Sequence, residues 1–264
     1  MNNIEIISSR DNSKVKLISS LKLRKNREKQ RLVMIEGLRA VKQILDDGIN
    51  VKMLAFSEAE INSDQEYREI YEKHLEVSCV VRASLFSQIT DTVNTQGIVA
   101  LVDMPSHDLK AILSGERMRV VIFDRIQDPG NAGTLIRTAD AAGFDAVLYT
   151  KGTVDLFSPK VNRSAMGLNL SVPVAEIDLA DIDYMKAQGF AIYATALDDY
   201  SVLYDSVRFD DRTAIILGNE ANGISEELLS VSDEKLYIPI FGKAESLNVG
   251  IAGAIIMYES LKKQ

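Results

Sequence analysis

"RVVIFDRIQDPGNAGTLIRTADAAGFDAVLYT", residues 119–150, contains a strand, a polar turn, a helix and a second strand in sequence. The opening apolar run reads as a strand buried on both faces, and "GTLIRTADAAG" reads as a helix stopped by Gly143. Strand, helix and strand at this spacing imply a parallel pair with a crossover helix. The pattern continues outward. "GFAIYATAL" (189–197), "TAIILGNE" (213–220) and the strand-like "YIPI" (237–240) alternate with helices expected at about 158–169, 179–188, 225–231 and 246–262. Such alternation predicts an α/β domain with a parallel sheet covered on both sides, and ligands of such sheets sit at the carboxyl ends of the strands. The clusters "DRIQDPGNAG" (124–133), "LGNEANG" (217–223) and "IPIFGKAESLN" (238–248) fall at those ends.

The first hundred residues read as a smaller α/β/α unit. "SRDNSKVKLISSLKLRKNREKQR" (9–31) predicts one helix starting near Asp11 or Asn12, with Val15, Leu17, Ile18 and Leu21 as its apolar side. Strands are expected at "RLVMIEG", "VKMLAFS", "VSCVVR" and "GIVALV", with helices between them. "DMPSHDLKAILSGER" (103–117), with its Pro, Ser and Gly, reads as the join. The expected division is a domain over 1–104, a linker over 105–117 and a second domain over 118–264.

With 264 residues, 46% of them hydrophobic, the chain is globular. It has no run of 18 apolar residues that would span a membrane, and "MNNIEIISSRDNSKVK" lacks the apolar core of a signal peptide. A cytoplasmic location is expected. One cysteine, Cys79, excludes an internal disulfide, and two separated histidines, His74 and His107, argue against a metal site and read as surface residues. Residues 1–42 carry 11 Lys/Arg against 4 Asp/Glu; taking these from the totals of 30 and 38 leaves 19 against 34. A basic segment on an acidic body points to local contact with nucleic acid. Within it, "KLRKNREKQR" (22–31) offers Lys22, Arg24, Lys25 and Arg27 as phosphate contacts, or else a solvated helix face.

The strand-end clusters lack the Gly-Lys-Ser/Thr of a P-loop and the GxGxxG of a dinucleotide site. Neither histidine lies near them, which leaves a Ser-His-Asp hydrolase without its base. What remains is main chain with a few polar groups: Arg137 on the helix after the first turn, Glu220 at the second turn, Ser246 and Asn248 at the third. Turns of this kind suit a neutral or zwitterionic ligand held by peptide groups, and an arginine suits a phosphate or a developing oxyanion. Plainer readings stand beside these: Asn131 as a turn residue, Ser246 as a helix N-cap, Glu220 as structural support for Arg137 or the loops. Gly250 and Gly253 read as close-packing positions, at a dimer contact if one exists.

At these residues the sequence resembles the SpoU family of RNA 2′-O-methyltransferases, of the knotted SPOUT superfamily. "NAGTLIRTADAAGFDAV", "ILGNEANGIS" and "IPIFGKAESLNVGIAGAIIMYE" resemble the three family motifs in order. "VMIEGLRAVKQILDDG" resembles the family's small substrate-binding domain, related in fold to an RNA-binding ribosomal protein. The resemblance implies a deep trefoil knot in the C-terminal domain, a homodimer, and S-adenosyl-L-methionine as cofactor. It implies catalytic roles for Asn131, Arg137, Glu220, Ser246 and Asn248. It also implies cofactor contacts at Thr195, Leu217, Gly218, Ile238 and Leu247, made mainly by main chain. Arg163 matches a family position and is expected at the RNA, although "RSAMG" exchanges Ser164 and Ala165 relative to the usual order. The implied reaction is methyl transfer to a ribose 2′-hydroxyl, with ribosomal RNA, 23S in particular, favoured because members acting on transfer RNA often lack the small domain. Transfer RNA as substrate and a non-catalytic RNA-binding module of the same fold are the competing readings.

Overall fold

The computed structural model describes residues 4–90 and 95–262. The chain divides into two compact units, and the division is not a single cut. Met1–Pro105 groups with Phe157–Leu170, and Ser106–Leu156 groups with Ser171–Gln264.

In the first unit, five strands form one sheet: β1 (Ile6–Ile7), β2 (Leu32–Glu36), β3 (Val51–Ser57), β4 (Ser78–Val81) and β5 (Ile98–Asp103), in the order β1-β4-β3-β5-β2. β5 runs antiparallel to both its neighbours, and the other pairs are parallel. Period-two alternation sorts side chains to two cores. Val33, Ile35, Leu54, Phe56 and Ile98 pack on one face, and Met34, Ala55, Cys79 and Val99 on the other.

The expected long N-terminal helix is two helices, Ser13–Ser20 and Arg24–Gln30. The break is closed by side chains of the second helix. Asn26 Nδ2 donates to the Ser20 carbonyl at 2.9 Å, and Arg27 Nη1 donates to the carbonyls of Leu21 (2.6 Å) and Lys22 (2.8 Å). These donors satisfy the carbonyls that a helix end leaves open. Arg27 is only 2% exposed, which corrects its expected place on an RNA-facing surface.

The segment Phe157–Leu170, expected in the second domain, joins the first unit for identifiable reasons. Phe157 and Leu170 pack into the core containing Val33 and Ile35. Asn162 Nδ2 donates at 2.8 Å to the Met34 carbonyl on edge strand β2, and Asn169 Nδ2 donates at 2.7 Å to Asn162 Oδ1. Edge carbonyls need partners, and a buried amide supplies one here.

The second unit is a seven-stranded sheet, parallel throughout: β6 (Met118–Phe123), β7 (Ala146–Thr150), β8 (Val174–Ile177), β9 (Ala191–Thr195), β10 (Val202–Leu203), β11 (Arg212–Leu217) and β12 (Glu234–Tyr237). Their order is β10-β12-β9-β11-β6-β7-β8. β12 ends at Tyr237, so "IPI" (238–240) is loop rather than strand, and β8 and β10 are strands the sequence pattern did not show. The expected linker is an ordered part of this unit. It holds a helix, Leu109–Ile112, and Arg212 donates to the carbonyls of Leu113 (2.7 Å) and Gly115 (2.6 Å). His107 is half-buried rather than solvated, and burial lowers its pKa.

One face of this sheet packs Val120, Ile122, Ala214 and Ile216 against Ile182, Met185 and Leu228 of the helices Leu179–Ala187 and Glu226–Val231. On the other face the helix Val249–Glu259 lies against the helix Pro129–Ala141. Gly253 makes that approach close: a Cβ there would fall inside van der Waals contact of Leu135 and Leu217. Its packing role is therefore within the chain. Gly253→Ala is expected to cost about 1–3 kcal/mol through overpacking, read as a lower midpoint in thermal denaturation.

Candidate active site

β6 and β11 are neighbours, and the chain leaves them towards opposite sides of the sheet, to β7 and β8 on one side and to β12 on the other. That is the switch point where a parallel sheet opens a crevice. The loop after β6 caps the next helix with Asp128, whose Oδ1 accepts the Asn131 N–H at 2.8 Å, with Pro129 in the first turn. Pro and Asp belong there because the first turn needs an acceptor and Pro lacks a donor to waste. The loop after β11 closes on itself. Asn219 and Gly223 exchange two backbone hydrogen bonds, at 3.0 and 2.9 Å. Gly218 must be glycine, since a Cβ would meet the backbone of Gly223 and Ile224.

A line of side chains joins three loops. Asn248, after β12, caps the helix Val249–Glu259 by accepting the Gly250 N–H on Oδ1, which leaves Nδ2 to donate to Asn131 Oδ1 at 2.9 Å. Asn131 Nδ2 in turn donates to Glu220 Oε1 at 2.8 Å. Glu220 also accepts the N–H groups of Gln127 and Asp128, each at 3.3 Å. Partial burial works to raise the Glu220 carboxyl, but the donors from Asn131, its own N–H, Gln127 and Asp128 together hold it below the ordinary carboxylate value. Glu220 is thus an anion that fixes loops. The N-cap expected of Ser246 belongs to Asn248.

Beneath this line a second network was not visible in the sequence. Asp124, at the end of β6 and 2% exposed, accepts from Thr150 Oγ1 (2.9 Å), the Ser225 N–H (2.6 Å), and Arg125 Nε and Nη2 (3.2 and 3.1 Å). Burial again works to raise its pKa, and these donors bring it below the usual value. Arg125 adopts a left-handed φ of 54°, held by Asn219 Nδ2 on its carbonyl (2.8 Å) and by Thr150 Oγ1 accepting its N–H (3.2 Å). A non-glycine residue there stores strain that the surroundings offset. The one available signal was a lone carboxylate closing the buried strand "RVVIFD".

Beside the line lies a cavity of about 620 Å³, a size that suits a cofactor. Its walls come from the loops after β9, β11 and β12 and the start of the last helix. Thr195, Gly218, Ile238 and Leu247 line it, as do Glu220, Ser246 and Asn248. Leu217 does not. It is fully buried and its carbonyl accepts the Asp124 N–H at 2.9 Å, so it forms the wall behind Gly218. Arg137 is exposed, about 9 Å along its helix from Asn131 by the helical rise, and does not line the cavity. Its guanidinium makes no hydrogen bond or ion pair among the described residues. Among the described residues no group of three His, Cys, Asp or Glu could hold a metal.

Residues 118–258 match the model of the SpoU rRNA Methylase family. The chain belongs to this family. Residues 12–100 match an MRM3-like substrate binding domain. The chain is 38% identical to the 23S rRNA (guanosine(2553)-2′-O)-methyltransferase RlmP of Bacillus subtilis over 96% of its own length and 97% of the relative's. It is 28% identical to the 23S rRNA (uridine(2479)-2′-O)-methyltransferase of Streptomyces viridochromogenes, covering 88% and 83% of the two chains. A crystal structure of an AdoMet-bound rRNA methyltransferase from Sinorhizobium meliloti superposes with a TM-score of 0.84 at 32% identity, over 97% of each chain.

The lowered pKa values of Asp124 and Glu220 fix the sign of an acid effect. Their stabilisation is present above the ordinary carboxylate range near pH ~4 and is lost as pH falls through the lower folded values. Thermal denaturation from pH 6 to 2 is expected to show this loss. Asp124→Ala should cost about 3 kcal/mol at pH 7 and flatten the profile, because it leaves buried donors without their acceptor.

Proposed function

We propose that the protein transfers a methyl group from S-adenosylmethionine to a ribose 2′-hydroxyl of ribosomal RNA, 23S in particular. The observation that carries the reading is the cavity at the strand ends, walled by the SpoU motif loops and closed by the Glu220–Asn131–Asn248 line. The donor set fits the cofactor. Apolar walls from Leu236, Ile238 and Leu247 suit an adenosine, and Glu220 and Glu245 at the lining suit a positive sulfonium. When bound, the cofactor supplies an electrophilic methyl group. The protein then has to place the hydroxyl in line and manage the charge that builds on its oxygen.

Arg137 is assigned to that charge by its place in the SpoU segment, since it does not line the cavity of its own chain. A guanidinium is always protonated, so it serves as a clamp on a phosphate or an incipient alkoxide rather than as a base. Glu220 holds Asn131 and the loop after β6, while Asn248 ties the wall from the opposite side and Ser246 lines it. Full-length protein is expected to bind AdoMet in titration calorimetry. Arg137→Lys should keep that affinity and lose tenfold or more in kcat; near-normal turnover would contradict bidentate clamping.

The RNA surface is assigned to the basic helix Arg24–Gln30, in revised form. Lys25 is exposed, Lys22 Nζ donates to the Gln88 and Thr90 carbonyls, Arg24 pairs with Glu28, and Arg27 is structural. Arg163 pairs with buried Glu36 at 3.4 Å, which gives it a structural partner beside any role at RNA. Lys25→Ala with Lys29→Ala should weaken RNA binding and flatten its salt dependence with AdoMet affinity intact, read by filter binding. Arg27→Ala should instead lower stability.

Family membership supports two finer features, a trefoil knot threading the C-terminal segment and a homodimer. The last helix is apolar around its circumference and leaves Ile251 and Tyr258 half-exposed, as a subunit contact would require. Ile251→Asp is expected to sediment as a monomer where the native chain sediments as a dimer. A cytoplasmic location goes with an enzyme of ribosomal RNA, and among the described residues no helix is long and apolar enough to cross a membrane.

A further inference from the structure

Three large apolar side chains stand far out of the surface: Leu197 at 78% exposure, Tyr200 at 84% and Phe241 at 95%. No other large apolar side chain among the described residues exceeds 55%. All three lie on two loops that build the cavity wall. Leu197 itself lines the cavity, and Phe241 follows the lining residue Ile240. Single exposed hydrophobic residues need no explanation, but the three most exposed falling on two loops of one cavity do.

The loop bearing Tyr200 is built rather than slack. Asp198 Oδ1 accepts the Tyr200 N–H at 2.9 Å and the Ser201 hydroxyl at 3.0 Å, and the Asp198 N–H donates back to Ser201 Oγ at 3.0 Å. Asp198 Oδ2 takes Lys235 Nζ of β12 at 2.6 Å, and that contact is the leading reason the carboxyl is pulled down to about 2. Both ends of the loop are tied to β12, through Ala196 N to the Leu236 carbonyl and Tyr204 N to the Tyr237 carbonyl, each at 3.1 Å. An aromatic ring is therefore presented to solvent on a turn that is already ordered, so little conformational entropy is lost when a ligand meets it.

We propose that Tyr200 and Phe241 receive the base of the target nucleotide by stacking and so set its ribose over the cavity. The inference rests on the methyltransferase reading above and extends it to the residues that seat the substrate. Nucleobases in single-stranded or looped RNA are held by aromatic faces of this kind. Lys243, exposed two residues beyond Phe241, supplies a cation for the adjoining phosphate. A second copy of the chain is the less suitable occupant, because the subunit contact proposed above is placed on the last helix at Ile251 and Tyr258.

The test uses the full-length protein, tritiated AdoMet and 23S RNA from cells lacking the gene. Tyr200→Ala and Phe241→Ala should each raise KM for RNA about tenfold. AdoMet affinity by calorimetry and the sedimentation coefficient should be unchanged, and Tyr200→Phe should recover most of the loss. A KM within twofold of the native value for both alanine variants would overturn the proposal, as would a shift to smaller species, which would assign the rim to a second copy. Native protein that binds AdoMet but leaves this RNA unmethylated would instead overturn the methyltransferase reading, and the proposal with it.

Discussion

Two amides and a carboxylate carry the architecture of the site. Asn248 donates to Asn131, and Asn131 donates to Glu220. Asn248 ends the loop after β12, Asn131 stands in the first turn of the helix after β6, and Glu220 lies on the loop after β11, so the line fixes three otherwise independent segments against one another. The economy lies in the asparagines, each of which uses its oxygen and its nitrogen in different directions. Asn248 caps its helix with Oδ1 and reaches across with Nδ2. An apolar replacement at either position would leave partners unsatisfied, and a charged one would change the sign of a contact. Glu220 anchors the end of the line as an anion because main-chain donors from the first loop converge on it.

The line works only on a sheet that delivers the loops to one place. Parallel strands β6, β11, β9 and β12 all end on the same side, and the crevice opens where the chain departs from β6 and β11 in opposite directions. Beneath the crevice, Asp124 and the left-handed Arg125 hold the strand ends, and Gly253 lets the last helix close on the first. The cavity is consequently walled by loops whose geometry is set before any ligand arrives, as expected of a site that works by positioning.

Much of this was legible in the sequence where period and punctuation agreed. The strand-turn-helix-strand of 119–150, the seven residues of β3, and the clustering of polar turns at strand ends follow from apolar runs bounded by Gly, Pro and Asp. The rest depended on tertiary contacts that no local pattern encodes. Arg27 reads as one of six cations in a basic run, yet it caps the end of the preceding helix. Phe157–Leu170 reads as part of the second domain, yet Asn162 completes the edge of β2. Asp124 stands alone in the sequence because its partners Thr150 and Ser225 are 26 and 101 residues away. Leu217 and Gly218 are both expected at the cofactor from the sequence; Gly218 lines the cavity, while Leu217 is buried behind it.

The account is tested most directly by mapping ribose 2′-O-methyl groups in 23S RNA from cells with and without the gene, complemented by the native chain or by Glu220→Ala. The account predicts at least one methylated ribose that disappears on deletion, returns with the native chain and does not return with the variant. An unchanged methylation map, or full restoration by Glu220→Ala, would contradict it.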